Sequence, residues 1–413
     1  MCSDLTMTKR LLQVNITANW GSHGRIAEEI GRIVISNDWD SYIAYGRNAN
    51  SSMSHLIKIG HMFDEMCHGV QSRLFDQHGL GSKHVTWEFV REIERIKPDI
   101  IHLHNIHGYY LNYPILFKFL SSLSIPVVWT LHDCWPMTGH CAYPSIFACN
   151  LWKVGCHDCP AKYEYPKSLL IDNSKENYRL KKASFCCMDS LHIVTVSKWL
   201  ENEVRASFLK GYDIRCIYNG VDIDKFRPQI SVDSLRLKHH ICPNEKVVLG
   251  VASVWEKRKG LGDFYQLRQI LSSEYRIILI GLNKNQIKQV PEGIDIVMRT
   301  DNQNQLAAYY SMADVFVNPS LAETFGLTTA EALACGTPCV VYDTSACPEL
   351  ISEETGRVVP LNDISAMAEA IRQICEKTDR ARMRNSCRDR AVRLFNQSES
   401  YKAYWNLYQS IID

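Results

Sequence analysis

The sequence predicts an α/β protein with two doubly wound parallel sheets, and three observations support this. Short apolar runs typical of strands alternate with helical stretches along most of the 413 residues, which is the pattern of parallel sheets covered by helices. A chain of this length favours two domains over one compact core. Between the two groups of strands lies a turn-rich stretch with a proline exit, residues 219–228, which suits an interdomain linker.

The apolar runs give the strands of each half in order. The first half supplies residues 11–16, 41–45, 100–103, 127–131, 193–196 and 214–218. The second half supplies residues 247–251, 276–280, 294–297, 315–317 and 338–342. We therefore predict an N-terminal domain over residues 1–218, the linker 219–228, a C-terminal domain over residues 229–395 and a final helix over residues 396–413.

The final helix has one aromatic face, because its aromatic residues recur at intervals of three and four. They are Tyr401, Tyr404, Trp405 and Tyr408. The pattern alone leaves two partners open for this face, the C-terminal domain or the N-terminal domain.

Composition excludes several classes of protein. With 46% hydrophobic and 22% charged residues the chain is typical of globular proteins, and a net charge of +1 gives no overall attraction to nucleic acid. No apolar stretch reaches the roughly 18 residues of a membrane-spanning helix, and the N-terminus lacks the apolar core of a signal peptide. Most of the 16 cysteines stand singly, which favours reduced thiols. We expect a cytoplasmic protein, with attachment to the inner face of the membrane left open.

The most informative segment is residues 318–338, NPSLAETFGLTTAEALACGTP. An apolar run breaks at Pro319, a loop carries Glu323, and Gly326 opens a brief helix whose free N–H groups can bind a phosphate. Glu323 and Glu331 flank this helix start with seven residues between them, and both can accept protons from sugar hydroxyls. The pattern suits a nucleotide sugar. The alternative is an ordinary loop acid and a solvated helix residue.

This segment resembles the double-glutamate signature of the retaining family-4 glycosyltransferases, because ETFGLTTAEALACGTP agrees in order, spacing and residue type. The resemblance implies the GT-B fold, in which two Rossmann-like domains face a central cleft and the last helix crosses back to the N-terminal, acceptor-side domain. It also implies that Glu323 contacts the donor sugar and Glu331 the ribose. The backbone N–H groups of Phe325, Gly326 and Leu327 would meet the donor, and catalysis would require no cofactor.

Two loops of the first half carry further candidates. Gly21 and Gly24 bracket a turn that opens a helix, where backbone amides can approach a diphosphate. This loop resembles the glycine-rich first loop of the family, although a plain strand-to-helix turn is the alternative. His132, in the sequence TLHD, resembles the strand-end histidine that reaches the donor sugar, and the alternative is a structural histidine. Nearby histidines could bind a metal, contact the acceptor or pack structurally: His102, His104 and His107.

The segment GVASVWEKRKGLGDF, residues 250–264, carries candidates for binding the donor diphosphate. Lys259 and Gly260 resemble the second half of the family's G-R-x-x-x-x-K-G arrangement. The usual arginine is absent, and Arg258 is the substitute that we predict. The alternative is that these are surface cations at the start of a helix.

Residues 134–160 hold five cysteines, and four of them predict a structural zinc site: Cys141, Cys149, Cys156 and Cys159. Unligated thiols and redox chemistry are the alternatives. The insertion resembles a bacterial subgroup of exopolysaccharide and colanic-acid transferases. Residues 161–185 then mix cations with aromatic residues, which suits either anionic lipid or a solvated helix face.

Taken together, the motifs predict a glycosyltransferase that moves a sugar from a nucleoside-diphosphate sugar to a hydroxyl acceptor, and the resemblance implies that it retains the anomeric configuration. The resemblance implies a role in bacterial surface polysaccharide biosynthesis, with a glycan or a lipid-linked saccharide as acceptor. Two alternatives are a non-catalytic nucleotide-sugar-binding regulator and a sugar-nucleotide epimerase on the same scaffold.

Overall fold

The structure is a computed structural model that describes residues 8–229, 231–376 and 379–412. The chain divides into two compact units. The first unit ends at Ile217 and also takes in the C-terminal segment from Tyr401, and the second unit is Tyr218–Ser400. Each unit is described separately.

The first unit is built on a seven-stranded parallel sheet. Its strands are β1 (Arg10–Asn15), β2 (Asp40–Tyr45), β3 (His55–Lys58), β4 (Ile100–Leu103), β5 (Val127–Leu131), β6 (Leu191–Thr195) and β7 (Asp213–Cys216). They follow the order β3-β2-β1-β4-β5-β6-β7. The strand order reverses between β1 and β4, where Leu11 pairs with Ile100 and Val14 with Leu103. Ligands of open parallel sheets bind beyond the carboxyl ends of the strands at such a point.

Six helices and three short 3₁₀ turns connect these strands. The helices are α1 (Gly21–Ser36), α2 (Met62–Phe75), α3 (Lys83–Ile96), α4 (Tyr113–Leu120), α5 (Ser174–Phe185) and α6 (Lys198–Arg205). The 3₁₀ turns are Trp135–Met137, Pro144–Phe147 and Leu151–Lys153. Some helix starts follow capping chemistry: the Asn112 and Ser197 side chains accept backbone N–H groups of the first turns of α4 and α6.

The second unit contains a six-stranded parallel sheet. Its strands are β8 (Lys246–Val251), β9 (Tyr275–Ile280), β10 (Ile294–Val297), β11 (Val315–Asn318), β12 (Cys339–Tyr342) and β13 (Gly356–Val359). They follow the order β10-β9-β8-β11-β12-β13, which reverses between β8 and β11. The helices are α7 (Asp233–Lys238), α8 (Leu261–Ile270), α9 (Lys284–Ile287), α10 (Gln303–Met312), α11 (Leu327–Ala334), α12 (Ile364–Cys375) and α13 (Arg380–Phe395). Two 3₁₀ turns are Lys257–Lys259 and Cys347–Leu350.

The last helix, α14 (Gln397–Ile412), brings its aromatic face to the core of the first unit. The Tyr408 hydroxyl lies 2.6 Å from His102 Nδ1, and the Thr130 hydroxyl donates to the Tyr404 hydroxyl at 3.2 Å. Trp405 packs edge-on against Trp39 with ring centroids 5.1 Å apart. Of the two partners left open by the pattern, the tyrosines contact the residues of the first unit.

The predicted fold class is confirmed: the protein is α/β, and both sheets are wholly parallel. All eleven predicted strands are present, with ends that differ by at most two residues. Two edge strands, β3 and β13, were not predicted from the sequence. Within residues 8–229, 231–376 and 379–412, no helix combines the length and apolar character that crossing a bilayer requires.

Candidate active site

In the second unit, candidate residues gather at the reversal point between β8 and β11. β11 ends at Asn318, and the loop that follows leads to Gly326, which is the residue immediately before α11. Gly326 has φ +97°, a left-handed conformation that glycine adopts without strain. Its carbonyl accepts the N–H groups of Thr329 and Ala330, so the helix starts sharply. The N–H groups of the first two helical residues, Leu327 and Thr328, have no carbonyl partner within the helix and can bind an anion.

Glu323 is held in this loop by a dense set of contacts. Its Oε1 lies 2.5 Å from Lys259 Nζ and accepts the Ser320 hydroxyl at 2.9 Å. Its backbone N–H donates to the Ser345 hydroxyl at 2.8 Å. Burial by itself would raise the pKa of Glu323, but the Lys259 and Arg258 charges outweigh it and lower that pKa. The buried carboxyl is therefore ionised at neutral pH.

Arg258 lies against the same loop. Its Nη1 donates to the Ala322 carbonyl at 2.7 Å and lies 3.7 Å from Glu323 Oε2, and its own carbonyl accepts the Leu321 N–H at 2.8 Å. The guanidinium is mostly buried. Arg258 thus holds the loop that carries Glu323 in place. Lys259 is the more exposed of the two cations.

Gly260 sets the distance between the Lys259 turn and the loop after β11. It has φ +70°, and an added Cβ would lie 2.2 Å from the Pro319 carbonyl oxygen. Such a contact cannot be accommodated without moving one loop. Gly260 therefore permits the approach that joins Lys259 to Glu323.

We expect Gly260→Ala to destabilise the second unit by roughly 2–5 kcal/mol, from left-handed strain of ~1–2 kcal/mol and overpacking of ~1–3 kcal/mol. The matched control is Gly262→Ala, in the first turn of α8, where an added Cβ meets nothing within 4 Å. That change is expected to be neutral or stabilising by ~0.5–1 kcal/mol. Urea unfolding of both variants measures the difference, and equal stabilities would contradict the role of Gly260.

Glu331 lies on α11 and is not a solvated helix residue. Its carboxylate accepts the Tyr310 hydroxyl at 3.0 Å, and the residue is 9% exposed. Phe325 is buried and packs against Phe395 with ring centroids 5.5 Å apart. Leu327 is the first residue of α11. The second signature acid is therefore held on the flank of the helix whose start could bind an anion.

In the first unit, His132 follows β5 and belongs to a network of neighbouring polar side chains. His132 Nε2 lies 3.4 Å from His104 Nδ1, and His104 Nε2 lies 3.1 Å from Gln13 Oε1. The His23 ring lies 5.4 Å from the His132 ring. Burial lowers the pKa of His132 and of His104 well below the ordinary histidine value, and neighbouring histidines lower it further. Both rings are therefore neutral and suited to hydrogen bonding.

A second network of side-chain contacts begins at Asp133, next to His132. Asp133 Oδ2 lies 2.9 Å from His107 Nε2, and His107 Nδ1 lies 2.9 Å from the Tyr165 hydroxyl. Burial alone would raise the pKa of Asp133, but its contacts with His107 and the Trp135 N–H hold that pKa below its usual value.

The two glycines of the first loop differ in their surroundings. Gly21 has φ +66°, and an added Cβ would have no atom within 4 Å. Glycine is therefore favoured there by the backbone conformation and not by lack of space. At Gly24 an added Cβ would lie 2.7 Å from the Thr17 hydroxyl, so its requirement is steric. Both lie in the first turn of α1, next to the strand end at Asn15.

The buried neutral histidines predict that the chain loses stability in mild acid. Burial lowers the pKa of His102 and His104, so below the unfolded value of about 6.5 the unfolded state binds more protons. The contribution of the two neutral rings to the free energy of unfolding is complete above that pH. It is lost as the pH falls, by up to ~1.4 kcal/mol per pH unit for each ring. Urea unfolding between pH 7.5 and 5.5 measures this. His102→Gln should reduce the slope, and the exposed-residue control His84→Gln should not.

The predicted zinc site is not supported. Cys141, Cys149, Cys156 and Cys159 line one small cavity. However, in the part of the chain that the structure describes, no group of three or more His, Cys, Asp or Glu side chains is arranged to hold a metal ion. The same holds for a metal on His102, His104 and His107.

Buried polar contacts within the protein hold the cysteine-rich loop in place. His140 Nδ1 lies 2.5 Å from Asp76 Oδ1. Lys181 Nζ donates to the Trp135 and Thr138 carbonyls at 2.7 and 3.0 Å. Burial lowers the pKa of Lys181 to about 7.

Two family models match the chain. "Glycosyltransferase Family 4" matches residues 64–225, and "Glycosyl transferases group 1" matches residues 245–377. The chain therefore contains a domain of each of these two glycosyltransferase families. The second match covers Lys259, Glu323 and Glu331, and the first covers His132 and the cysteine-rich loop. The double-glutamate segment and the TLHD segment thus both lie inside matched regions.

Curated relatives agree with this assignment, and solved structures share the fold. WcaC of Escherichia coli K12, described as a candidate colanic acid biosynthesis glycosyl transferase, is 24% identical over 97% of this chain and 100% of its own length. The capsular polysaccharide glycosyltransferase CapM of Staphylococcus aureus is 25% identical over 56% of this chain and 64% of its own. Among solved structures, the sucrose-phosphate synthase of Thermosynechococcus elongatus has a TM-score of 0.73 at 18% identity, covering 97% and 98% of the two chains. That similarity shows the fold alone.

Several residues of the site were not predicted from the sequence. Ser320 and Ser345 hold Glu323, and Tyr310 holds Glu331. Ser320 lies within the signature segment and could have been considered. Ser345 and Tyr310 come from other elements, and no spacing in the sequence relates them to the acids.

Proposed function

We propose that this glycosyltransferase moves a sugar from a nucleoside-diphosphate sugar to a hydroxyl acceptor with retention of anomeric configuration. The observation that carries the proposal is the buried contact between Lys259 and Glu323 beside the open first turn of α11. It combines a cation, an ionised acid and a helix N-terminus, which are the groups needed to bind a diphosphate and orient a sugar. The HepE protein of Anabaena, with the same fold at a TM-score of 0.67 and 13% identity over 97% of this chain and 99% of its own, has a structure with UDP-glucose.

The roles follow from charge and position. Lys259 and the N–H groups from Phe325 to Leu327 would take up negative charge on the departing diphosphate, and Arg258 would keep the loop in place. Glu323 would accept a hydroxyl proton of the donor sugar, and Glu331 would accept from the ribose. In the first unit, neutral His132 would hydrogen-bond a sugar hydroxyl, and the amides of the Gly21–Gly24 turn would meet the diphosphate.

We also propose the pathway and the place of action. The likeness to WcaC and CapM supports bacterial surface polysaccharide biosynthesis, with a glycan or a lipid-linked saccharide as the acceptor. Activated sugar nucleotides are made in the cytoplasm, so we assign the reaction to that compartment.

A donor panel tests the proposal. The full chain is incubated with UDP- and GDP-sugars without acceptor, and nucleotide release and the first sugar anomer are followed by NMR. Slow release of a nucleoside diphosphate and a sugar with the donor's anomeric configuration is the expected result. Binding without release would identify a regulator, a changed sugar still attached to the nucleotide would identify an epimerase, and an inverted anomer would overturn retention.

A further inference from the structure

One face of α2 is apolar and exposed. Met62, Phe63, Met66 and Val70 are 75, 74, 60 and 54% exposed. At 100° per residue these four side chains fall within an arc of about 100°, and they extend about 12 Å along the helix. Single exposed apolar residues are ordinary, but a contiguous set on one face marks an interaction surface.

A loop continues this face at the C-terminal end of α2. Leu169, Leu170 and Ile171 are 45, 65 and 41% exposed. The Leu169 N–H donates to the Arg73 carbonyl at 2.7 Å, so the loop is joined to the last turn of α2. We call the four α2 residues and these three loop residues the apolar ridge.

The loop is held by its own hydrogen bonds, and its apolar side chains do not fold inward. The Ser168 N–H donates to the Lys162 carbonyl at 2.9 Å, and the Ser168 hydroxyl donates to the Ile171 carbonyl at 2.6 Å. Lys162 Nζ donates to the Leu170 carbonyl at 3.0 Å. These three loop carbonyls are therefore paired within the loop while the ridge side chains remain exposed.

Cations border the ridge, and the acids on α2 are already engaged. Arg73 and Lys167 are exposed, and Lys162 is half-buried. Glu65 pairs with Lys58 at 2.8 Å, and Asp64 accepts the His61 N–H at 2.9 Å. Exposed apolar side chains with cations beside them match the interface of a bilayer that contains anionic lipid.

The loop of the ridge also connects to the candidate site. Tyr165 lies four residues before Leu169, and its hydroxyl lies 2.9 Å from His107, which contacts Asp133 beside His132. A molecule held at the bilayer surface would thus lie near the strand ends of the first unit.

We propose that the apolar ridge docks the protein on the surface of an anionic membrane, so that a lipid-linked saccharide can serve as the acceptor. The docking requires no transfer activity, whereas the assignment of the acceptor rests on the proposed function. Insertion of the ridge side chains would supply the apolar contribution, and Arg73, Lys162 and Lys167 would contact anionic headgroups.

The test is flotation of the full chain with vesicles of phosphatidylglycerol and phosphatidylcholine, compared with phosphatidylcholine alone. We expect binding to the anionic vesicles that weakens with salt. Phe63→Ser with Met66→Ser, and separately Leu170→Ser, should weaken it about tenfold or more, since each removes apolar surface from the interface. The matched control is Leu237→Ser on α7, where the leucine is 75% exposed.

Two outcomes would overturn the proposal: no binding to either vesicle, or ridge variants that float like the unmodified protein. Sedimentation velocity tests whether the ridge instead binds a second copy of the chain. A dimer that dissociates when the ridge residues are substituted would also overturn the proposal. Slow donor hydrolysis in solution serves as the independent readout. Ridge variants should retain it, so loss of docking is distinguishable from failure of the transferase assignment.

Discussion

Lys259→Ala is expected to lower the rate of sugar transfer by about 10²–10³-fold, the effect of removing one preorganised group that stabilises charge in the transition state. The Lys259 ammonium is half-buried and fixed by Glu323, so it needs little reorganisation to meet a departing diphosphate. The loss should fall mainly on kcat, because the charge on the leaving group grows as the bond breaks. Steady-state kinetics with the active donor measures it.

Lys257→Ala is the matched control for this change. Lys257 is on the same 3₁₀ turn but is exposed, and it should retain nearly full activity. An equal loss in the two variants would show that the positive charge of the turn acts as a whole. Unchanged kcat in Lys259→Ala would remove Lys259 from the mechanism.

Glu323→Ala is expected to remove most of the sugar-transfer activity while the protein remains folded. The carboxylate is buried among Lys259, Ser320 and Arg258, so its removal leaves the loop and both cations without their shared acceptor. We expect a loss on the order of 10²–10³-fold or more, because misplacement of about 1 Å at a reacting centre can cost 10²-fold. Glu323→Gln should be nearly as inactive, since an amide keeps the shape but loses the charge.

A loss of catalysis can be distinguished from a loss of folding in these variants by circular dichroism, thermal unfolding and donor affinity. Glu256→Gln, at an exposed acid of the same β8–α8 loop, is the control and should remain active. A double variant of Glu323 and Lys259 should lose less than the product of the single losses, because the two residues act as one unit. Full additivity would indicate that they act separately.

Much of the fold was predictable because buried parallel strands are continuous apolar runs. β4 and β5 appear at the predicted residues, since each is a short, mostly apolar run that is buried along its whole length. β3 was missed because it lies at the sheet edge and is mostly exposed, so its sequence HLIK lacks a buried face. β13 was missed because GRVV is short and follows a polar turn.

The candidate site was predictable where one segment carries it. Glu323, Gly326 and Glu331 share one strand–loop–helix unit, so their spacing fixes their arrangement. Ser345 reaches Glu323 from the loop after β12, and such a contact depends on the packing of separate strands. The cysteines show the opposite case, since their spacing suggested a metal while the described fold holds that loop through His140 and Lys181.

The return of α14 to the first unit affects how the chain is made. The sheet begins with β1 at Arg10, near the start of the sequence. Its core is covered by Tyr404 and Tyr408 of α14, about 390 residues further along the chain. On the ribosome, the N-terminal portion therefore emerges with this part of its core, beside His102, uncovered until α14 has been synthesised. A nascent chain stalled before residue 401 should bind chaperones, and a synthetic peptide of residues 397–413 should cover this part of the core when added in trans.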